Sequence, residues 1–216
     1  MSLYPELISE LKKNNLSEKE FSNLKRELAL KYHQKIIPTN IQILLQANPE
    51  EVEELKSKLI TKPVRTISGV SPIALMTAPH PCPHGKCTFC PGGIASPWGD
   101  VPQSYTGHEP ATMRGIRNNY DPYLMTFNRL EQYVILGHSF DKIEFIIMGG
   151  TFPAMPKEYQ EEFITGAFKA LNDFSELFFH QKEEFGFLKF KEFFELPGDL
   201  KDKNRIEHFQ KKVYRS

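Results

Sequence analysis

The sequence predicts an α/β protein: a helical N-terminal region, then the opening of a parallel β/α arrangement. Three observations carry that expectation. The first 60 residues read as helices with clear start signals. Two short apolar runs follow, near residues 75 and 145, separated by a Pro-rich loop and a helical stretch. A further helical pattern follows the second run, and strand–loop–helix–strand–helix is the order of a parallel βαβ unit with a right-handed crossover.

In the helical region, Ser17 precedes Glu20 by three residues, the signature of a capping box. Glu18 to His33 contains neither Pro nor Gly, and Leu24, Leu28 and Tyr32, with Phe21 nearby, recur at helical spacing on one face. Asn48-Pro49 opens another helix, since Asn caps well and Pro is tolerated at the first helical position. Between Lys12 and Lys35 there are seven Lys/Arg against three acids, which is either a solvated face or a surface that meets phosphates.

Residues 61–122 change character. Eight prolines between Pro72 and Pro110, with frequent Gly, exclude a mainly helical segment or a central strand. Within this stretch Ile73–Thr77 reads as a buried strand. Leu124–Leu136 reads as a helix, Ile143–Met148 as a strand ended by Gly149-Gly150, and Pro156 to about Asn172 as a helix. Eight Phe between Phe174 and Phe194, mixed with Lys and Glu, suggest an amphipathic helical tail packed on a core. The expected division is 1–60, a helical region; 61–172, the β/α part with the loop; and 173–216, the Phe-rich tail.

Lys+Arg and Asp+Glu both count 27, so bulk charge supplies no argument for a nucleic-acid partner. No run of about 18 apolar residues exists, and the start MSLYPELISELKK lacks a basic segment followed by an apolar one. The expectation is a cytoplasmic protein with no membrane partner.

The three cysteines, Cys82, Cys87 and Cys90, fall within nine residues. An odd, clustered set is a poor disulfide framework and reads as a metal or cluster site. Their C-x4-C-x2-C spacing lets three thiolates converge on one iron–sulfur cluster, leaving one iron of a [4Fe–4S] cube without a protein ligand and open to a small molecule. The competing reading is zinc, with His80, His84 or His108 as a fourth ligand, although no second C-x2-C or H-x3–5-H half is present. A strand just before the cysteine loop, and a Gly-rich turn ending the next strand, favour the cluster, because active sites of β/α barrels sit at the C-terminal ends of their strands.

The wording around these motifs is more specific still. Lys62-Pro-Val-Arg65-Thr-Ile-Ser-Gly69-Val, Cys87-Thr-Phe-Cys90-Pro-Gly-Gly93, Gln103-Ser-Tyr105-Thr-Gly107-His-Glu109-Pro110, Met113-Arg114, Arg117, Tyr120-Asp121-Pro122 and Met148-Gly-Gly-Thr-Phe152 occur in this order. Together they resemble the catalytic subunit of Elongator, with the C-x4-C spacing of its archaeal type, over roughly residues 20–172.

The resemblance implies a radical-SAM enzyme that places a carboxymethyl group on C5 of the wobble uridine, position 34 of tRNA, using acetyl-CoA and S-adenosylmethionine (SAM). It implies a [4Fe–4S] cluster on Cys82, Cys87 and Cys90, and SAM near Gly149, Gly150 and Thr151. Lys142 aligns with a lysine associated with acetyl-CoA, where a cation suits the phosphates of CoA. His33 and Lys35 lie in a segment resembling the family's tRNA-binding region. Arg65, Arg114 and Arg117 fall in the matched basic loops and are candidates for contact with tRNA phosphates, CoA or the SAM carboxylate. Members of the family are longer, continuing through a (β/α)6 partial barrel, a zinc-containing linker and an acetyltransferase domain. The resemblance therefore implies only the first part of that barrel here, in a truncated or split form that is inactive until a second polypeptide supplies the rest.

Overall fold

The computed structural model describes residues 2–180, 184–197 and 203–213, and it divides into two compact units. The first comprises residues 1–67, 133–139 and 183–216, and the second residues 68–132 and 140–182.

The first unit holds α1 (Leu3–Lys13), α2 (Glu18–Lys31), α3 (Asn40–Gln46) and α4 (Pro49–Leu59). The capping box expected at Ser17 is formed: the Glu20 amide donates to Ser17 Oγ at 3.3 Å, and the Ser17 amide donates to Glu20 Oε2 at 2.8 Å. A second box, not read in the sequence, starts α3, where the Gln42 amide donates to Thr39 Oγ1 at 3.2 Å. Pro49 stands at the first position of α4 as expected. α2 turns Phe21 and Leu28 inward, and Leu24 and Tyr32 on the same face are half-buried. The core forms because α1 packs on the other three helices and buries Leu7, Ile43, Leu44 and Leu55.

The Phe-rich segment is not one helix. It ends α7 (Lys157–Phe178) and continues as the short strands β3 (Phe179–His180) and β4 (Glu184–Phe185), then α8 (Phe187–Phe193) and α9 (Lys203–Val213). From residue 183 it belongs to the first unit, where Lys191 Nζ donates to the Leu45 carbonyl and Lys56 Nζ lies 5.8 Å from the Phe185 ring centre.

The second unit contains the parallel pair. β1 (Ser71–Met76) and β2 (Ile143–Met148) run in register from Ser71 opposite Ile143 to Met76 opposite Met148. β2 matches the expected strand. β1 starts two residues earlier than expected, because the Ser71 amide donates to the Lys142 carbonyl at 2.8 Å. Its ladder still extends through Thr77, whose amide donates to the Met148 carbonyl at 2.8 Å. Parallel strands need a long crossover, and here it comprises the cysteine loop, α5 (Pro110–Arg117) and α6 (Pro122–Leu136). α5 lies inside the stretch whose proline content argued against helix. Pro110 sits at its first position, the one place where a missing amide costs nothing, and Glu109 precedes it as the cap residue. α5 packs against β1.

α7 runs six residues past its expected end. Phe163, Ala167, Ala170, Phe174 and Phe178 fall on one buried face at helical spacing, so the burial that built the helix continues through the first Phe residues of the tail. Among the described residues, no helix is long and apolar enough to cross a membrane.

Candidate metal and cofactor site

Parallel strands bring their C-terminal ends to one edge, and in the second unit that edge carries both sequence motifs. β1 leads through Thr77 and Ala78 into the cysteine loop, and β2 leads into Gly149-Gly150-Thr151. The two meet: Cys82 Sγ lies 3.4 Å from Thr151 Oγ1, and a Cβ on Gly150 would stand 3.8 Å from the same sulfur. Bare backbone at residue 150 therefore faces a thiol, which is how a backbone comes close to a ligand held on that thiol.

Gly149 makes the approach possible from below. Its φ is +114°, and a Cβ there would fall 2.2 Å from the buried Thr77 Oγ1. Gly92, just past the third cysteine, is fixed by a similar crowding, since a Cβ would lie 1.7 Å from the Tyr105 carbonyl oxygen.

The three thiols are free, with Cys87 exposed and Cys82 and Cys90 half-buried. Each sulfur has its own neighbours. Cys82 faces Thr151, Cys87 lies 3.1 Å from His84 Nε2, and the Cys90 thiol donates to the Gly92 carbonyl at 3.3 Å. Cys90 Sγ also accepts the Ser104 amide at 3.1 Å, and Ser104 adopts φ +74°.

Among the described residues, no three Cys, His, Asp or Glu side chains are grouped closely enough for a single ion. His108, one possible fourth zinc ligand, instead packs edge-on against Trp98 at 5.6 Å. Three thiols on one short loop are ligands of the kind an iron–sulfur cluster uses, but in this structure each has its own neighbour and they do not converge on one point.

The loop is held by side chains that sequence reasoning did not single out. Gln103, only 8 % exposed, accepts the Cys82 amide on Oε1 at 3.0 Å. Tyr159 in the first turn of α7 accepts the Ala78 amide on its hydroxyl at 2.9 Å, and burial pushes its phenol above the ordinary value. Glu109 accepts the Thr106 amide and hydroxyl, each at 2.9 Å, and the Gly107 amide at 3.1 Å. Burial alone would raise the Glu109 carboxyl, but the Thr106 amide, its own amide and the Thr106 hydroxyl outweigh it and hold the group at about 2. The Gln103 and Tyr159 contacts span 21 and 81 positions, so local pattern could not reveal them.

The remaining expected residues are dispersed. Lys142 is exposed at the start of β2, the opposite end of the strand from the Gly-rich turn. Six residues of strand separate the two, about 20 Å. Arg114 is half-buried and donates from Nη1 to the Ala74 carbonyl of β1 at 3.1 Å, so this guanidinium serves the strand. Arg117 is exposed at the end of α5. In the first unit, His33 (φ +52°) and Lys35 are exposed just beyond α2, and Arg65 is exposed in the turn Pro63–Thr66. Phe89, inside the cysteine loop, is 95 % exposed and offers an aromatic face beside the thiols.

Comparison with known proteins gives these features a context. The ELP3 N-terminal domain family matches residues 1–67. A protein named tRNA uridine(34) acetyltransferase from Methanocaldococcus jannaschii is 54 % identical over 163 residues, covering 74 % of this chain and 30 % of that protein. Its namesake in Methanocaldococcus infernus is 60 % identical over 136 residues, covering 63 % of this chain and 26 % of that protein. Human Elongator complex protein 3 is 44 % identical over 158 residues, covering 71 % of this chain and 29 % of that protein. The matched part thus spans under a third of each of these curated relatives.

Proposed function

The chain belongs, along most of its length, to the family of the catalytic Elongator subunit and its archaeal relatives, and from that premise we propose that it is the cluster- and SAM-binding part of a tRNA wobble-uridine modifying enzyme. The observation that carries the proposal is the meeting of the two strand ends, where Cys82 Sγ lies 3.4 Å from Thr151 Oγ1 and faces the bare backbone of Gly150.

In this reading β1 and β2 are the first strands of a partial (β/α)6 barrel. Cys82, Cys87 and Cys90 hold a [4Fe–4S] cluster. Held by these residues, such a cluster would supply one-electron chemistry for the reductive cleavage of SAM. The chain's own part is positional. Gly149 and Gly150 keep side chains out of the space beside Cys82, so that SAM can lie against backbone there. Thr151 offers a hydroxyl to the polar end of the ligand. Thr77 and Tyr159 anchor the start of the loop to β2 and α7. Lys142, at the far end of β2, can meet only a distant part of acetyl-CoA such as its phosphates.

The exposed His33, Lys35, Arg65 and Arg117 serve as tRNA contacts, whereas Arg114 is committed to β1. The reaction is transfer of a carboxymethyl group derived from acetyl-CoA to C5 of uridine 34, and the names of the relatives support a tRNA uridine as target. The name Elongator complex protein 3 supports a multi-subunit setting. Residues beyond this chain's match, on the same or another polypeptide, would complete the reaction.

The test is SAM cleavage by the anaerobically reconstituted chain under a strong reductant. Formation of 5′-deoxyadenosine that is lost in Cys87→Ala supports the proposal. Formation no greater than in Cys87→Ala, even with the rest of the barrel supplied on a second polypeptide, contradicts it.

A further inference from the structure

Gln103 is a buried polar side chain that bonds the backbone at Cys82 and lies near two glycine turns of the candidate site. Its Oε1 accepts the Cys82 amide at 3.0 Å. Its Cγ stands 3.1 Å from where a Cβ on Gly93 would be, so the turn after the third cysteine is packed directly on its aliphatic stem. Its Cβ stands 4.0 Å from the equivalent point on Gly150, in the turn after β2. The next residue, Ser104, is held at φ +74°, a conformation unfavourable for a non-glycine residue. Its amide donates to Cys90 Sγ at 3.1 Å. A buried amide side chain bonded at the first cysteine is thus followed directly by a strained residue whose amide reaches the third.

We propose that Gln103 is a positioning residue that sets the shape of the cysteine loop before any cluster is bound. It fixes Cys82 through its carbonyl oxygen and packs its stem beside Gly93, in the turn after the third cysteine. The neighbouring Ser104 amide donates to Cys90 Sγ, and a hydrogen bond to a cluster-ligating sulfur is one of the levers on reduction potential. Gln103 touches no reacting atom itself. Its use in catalysis rests on the cluster reading above, but the clamp itself is a property of the loop.

The experiment compares wild type with Gln103→Leu, which removes the acceptor at similar length, and Gln103→Glu, which keeps an acceptor oxygen. Amide hydrogen exchange of the iron-free chain is followed at Cys82 and, as an internal control, in α7. Loss of one hydrogen bond should speed exchange at Cys82 by about three- to tenfold in Gln103→Leu, with α7 unchanged and Gln103→Glu close to wild type. After reconstitution, Gln103→Leu should lose iron to a chelator several-fold faster. Its reduced cluster should give a displaced electron paramagnetic resonance signal, restored in Gln103→Glu. Equal exchange at Cys82 in wild type and Gln103→Leu overturns the proposal. Acceleration spread equally through α7 overturns it too, because that marks general destabilisation. A protected Cys82 amide in a wild-type chain that takes up neither iron nor sulfide sinks the cluster reading and leaves the clamp standing.

Discussion

Substituting alanine for each residue of the Gly149-Gly150 pair should give opposite results, and the structure says why. At Gly149 the backbone has φ +114°, which costs a residue with a Cβ about 1–3 kcal/mol. The added methyl would also stand 2.2 Å from Thr77 Oγ1, and Thr77 is 2 % exposed, with its amide tied to the Met148 carbonyl. It can escape only by leaving its packed position, and overpacking of this kind costs about 1–3 kcal/mol. The sum for Gly149→Ala is roughly 2–6 kcal/mol. At Gly150 the nearest atom to a new Cβ is Cys82 Sγ at 3.8 Å, an ordinary contact, so Gly150→Ala should lie within about 0.5 kcal/mol of wild type. It does, however, place a methyl against the sulfur, and SAM binding should weaken. Urea denaturation of the iron-free chain measures both. Adding Thr77→Ala to Gly149→Ala removes the atom that the methyl meets and should recover the packing part, leaving the backbone part. If Gly149→Ala is as stable as Gly150→Ala, the reasoning about this turn is wrong. If Thr77→Ala rescues nothing, the clash is not the cause.

Other expectations follow from single contacts. Cys87 is exposed, so Cys87→Ala should leave the unfolding free energy of the iron-free chain, read from urea curves, within about 0.5 kcal/mol of wild type, separating any loss of iron from loss of fold. Tyr159→Phe removes the acceptor of the Ala78 amide and should cost about 1 kcal/mol, read from the same urea curves. Glu109 has a folded-state value lowered to about 2 from 4.5, so its ionised form is the one the fold prefers. The stability it contributes is fully present above the unfolded value and is lost as pH falls from near 5 towards 2. Glu109→Gln should flatten the part of the acid-denaturation curve that lies in that window, and an unchanged curve would show that the carboxylate does not hold the Thr106–Gly107 turn. Lys35→Ala should reduce the slope of log tRNA affinity against log salt by about 0.7–1 if Lys35 meets a phosphate. An unchanged slope removes it from the interface.

Much of this architecture was legible because it is written locally. The Ser17–Glu20 box, Pro49 at the head of α4 and the apolar run of β2 each signal themselves within a few residues, and the structure shows them in those places. α5 was hidden because the prolines around it argue against helix, although Pro110 occupies the one position where proline belongs. The end of α7 was hidden by the switch to a Phe-rich composition, which the helix simply buries. At the candidate site, the cysteine spacing and the paired glycines pointed to one place, and the parallel register supplies the reason: both follow strands whose C-terminal ends adjoin. Gln103, Tyr159 and the structural use of Arg114 were beyond reach. A glutamine inside a Pro-rich loop or a tyrosine in a helix carries no sign of a partner 21 or 81 positions away. Arg114 was a candidate ligand for an anion because it lies in the matched basic loops, and nothing local signals its bond to the Ala74 carbonyl of β1, 40 positions away.

The most direct test of the central claim is the iron and sulfide content of the chain after anaerobic reconstitution, with Cys87→Ala alongside. The account predicts about four irons and four sulfides per chain, with a visible absorption band that Cys87→Ala loses. One zinc per chain and no sulfide would contradict it, and would make the cysteine loop a structural staple in an RNA-binding module.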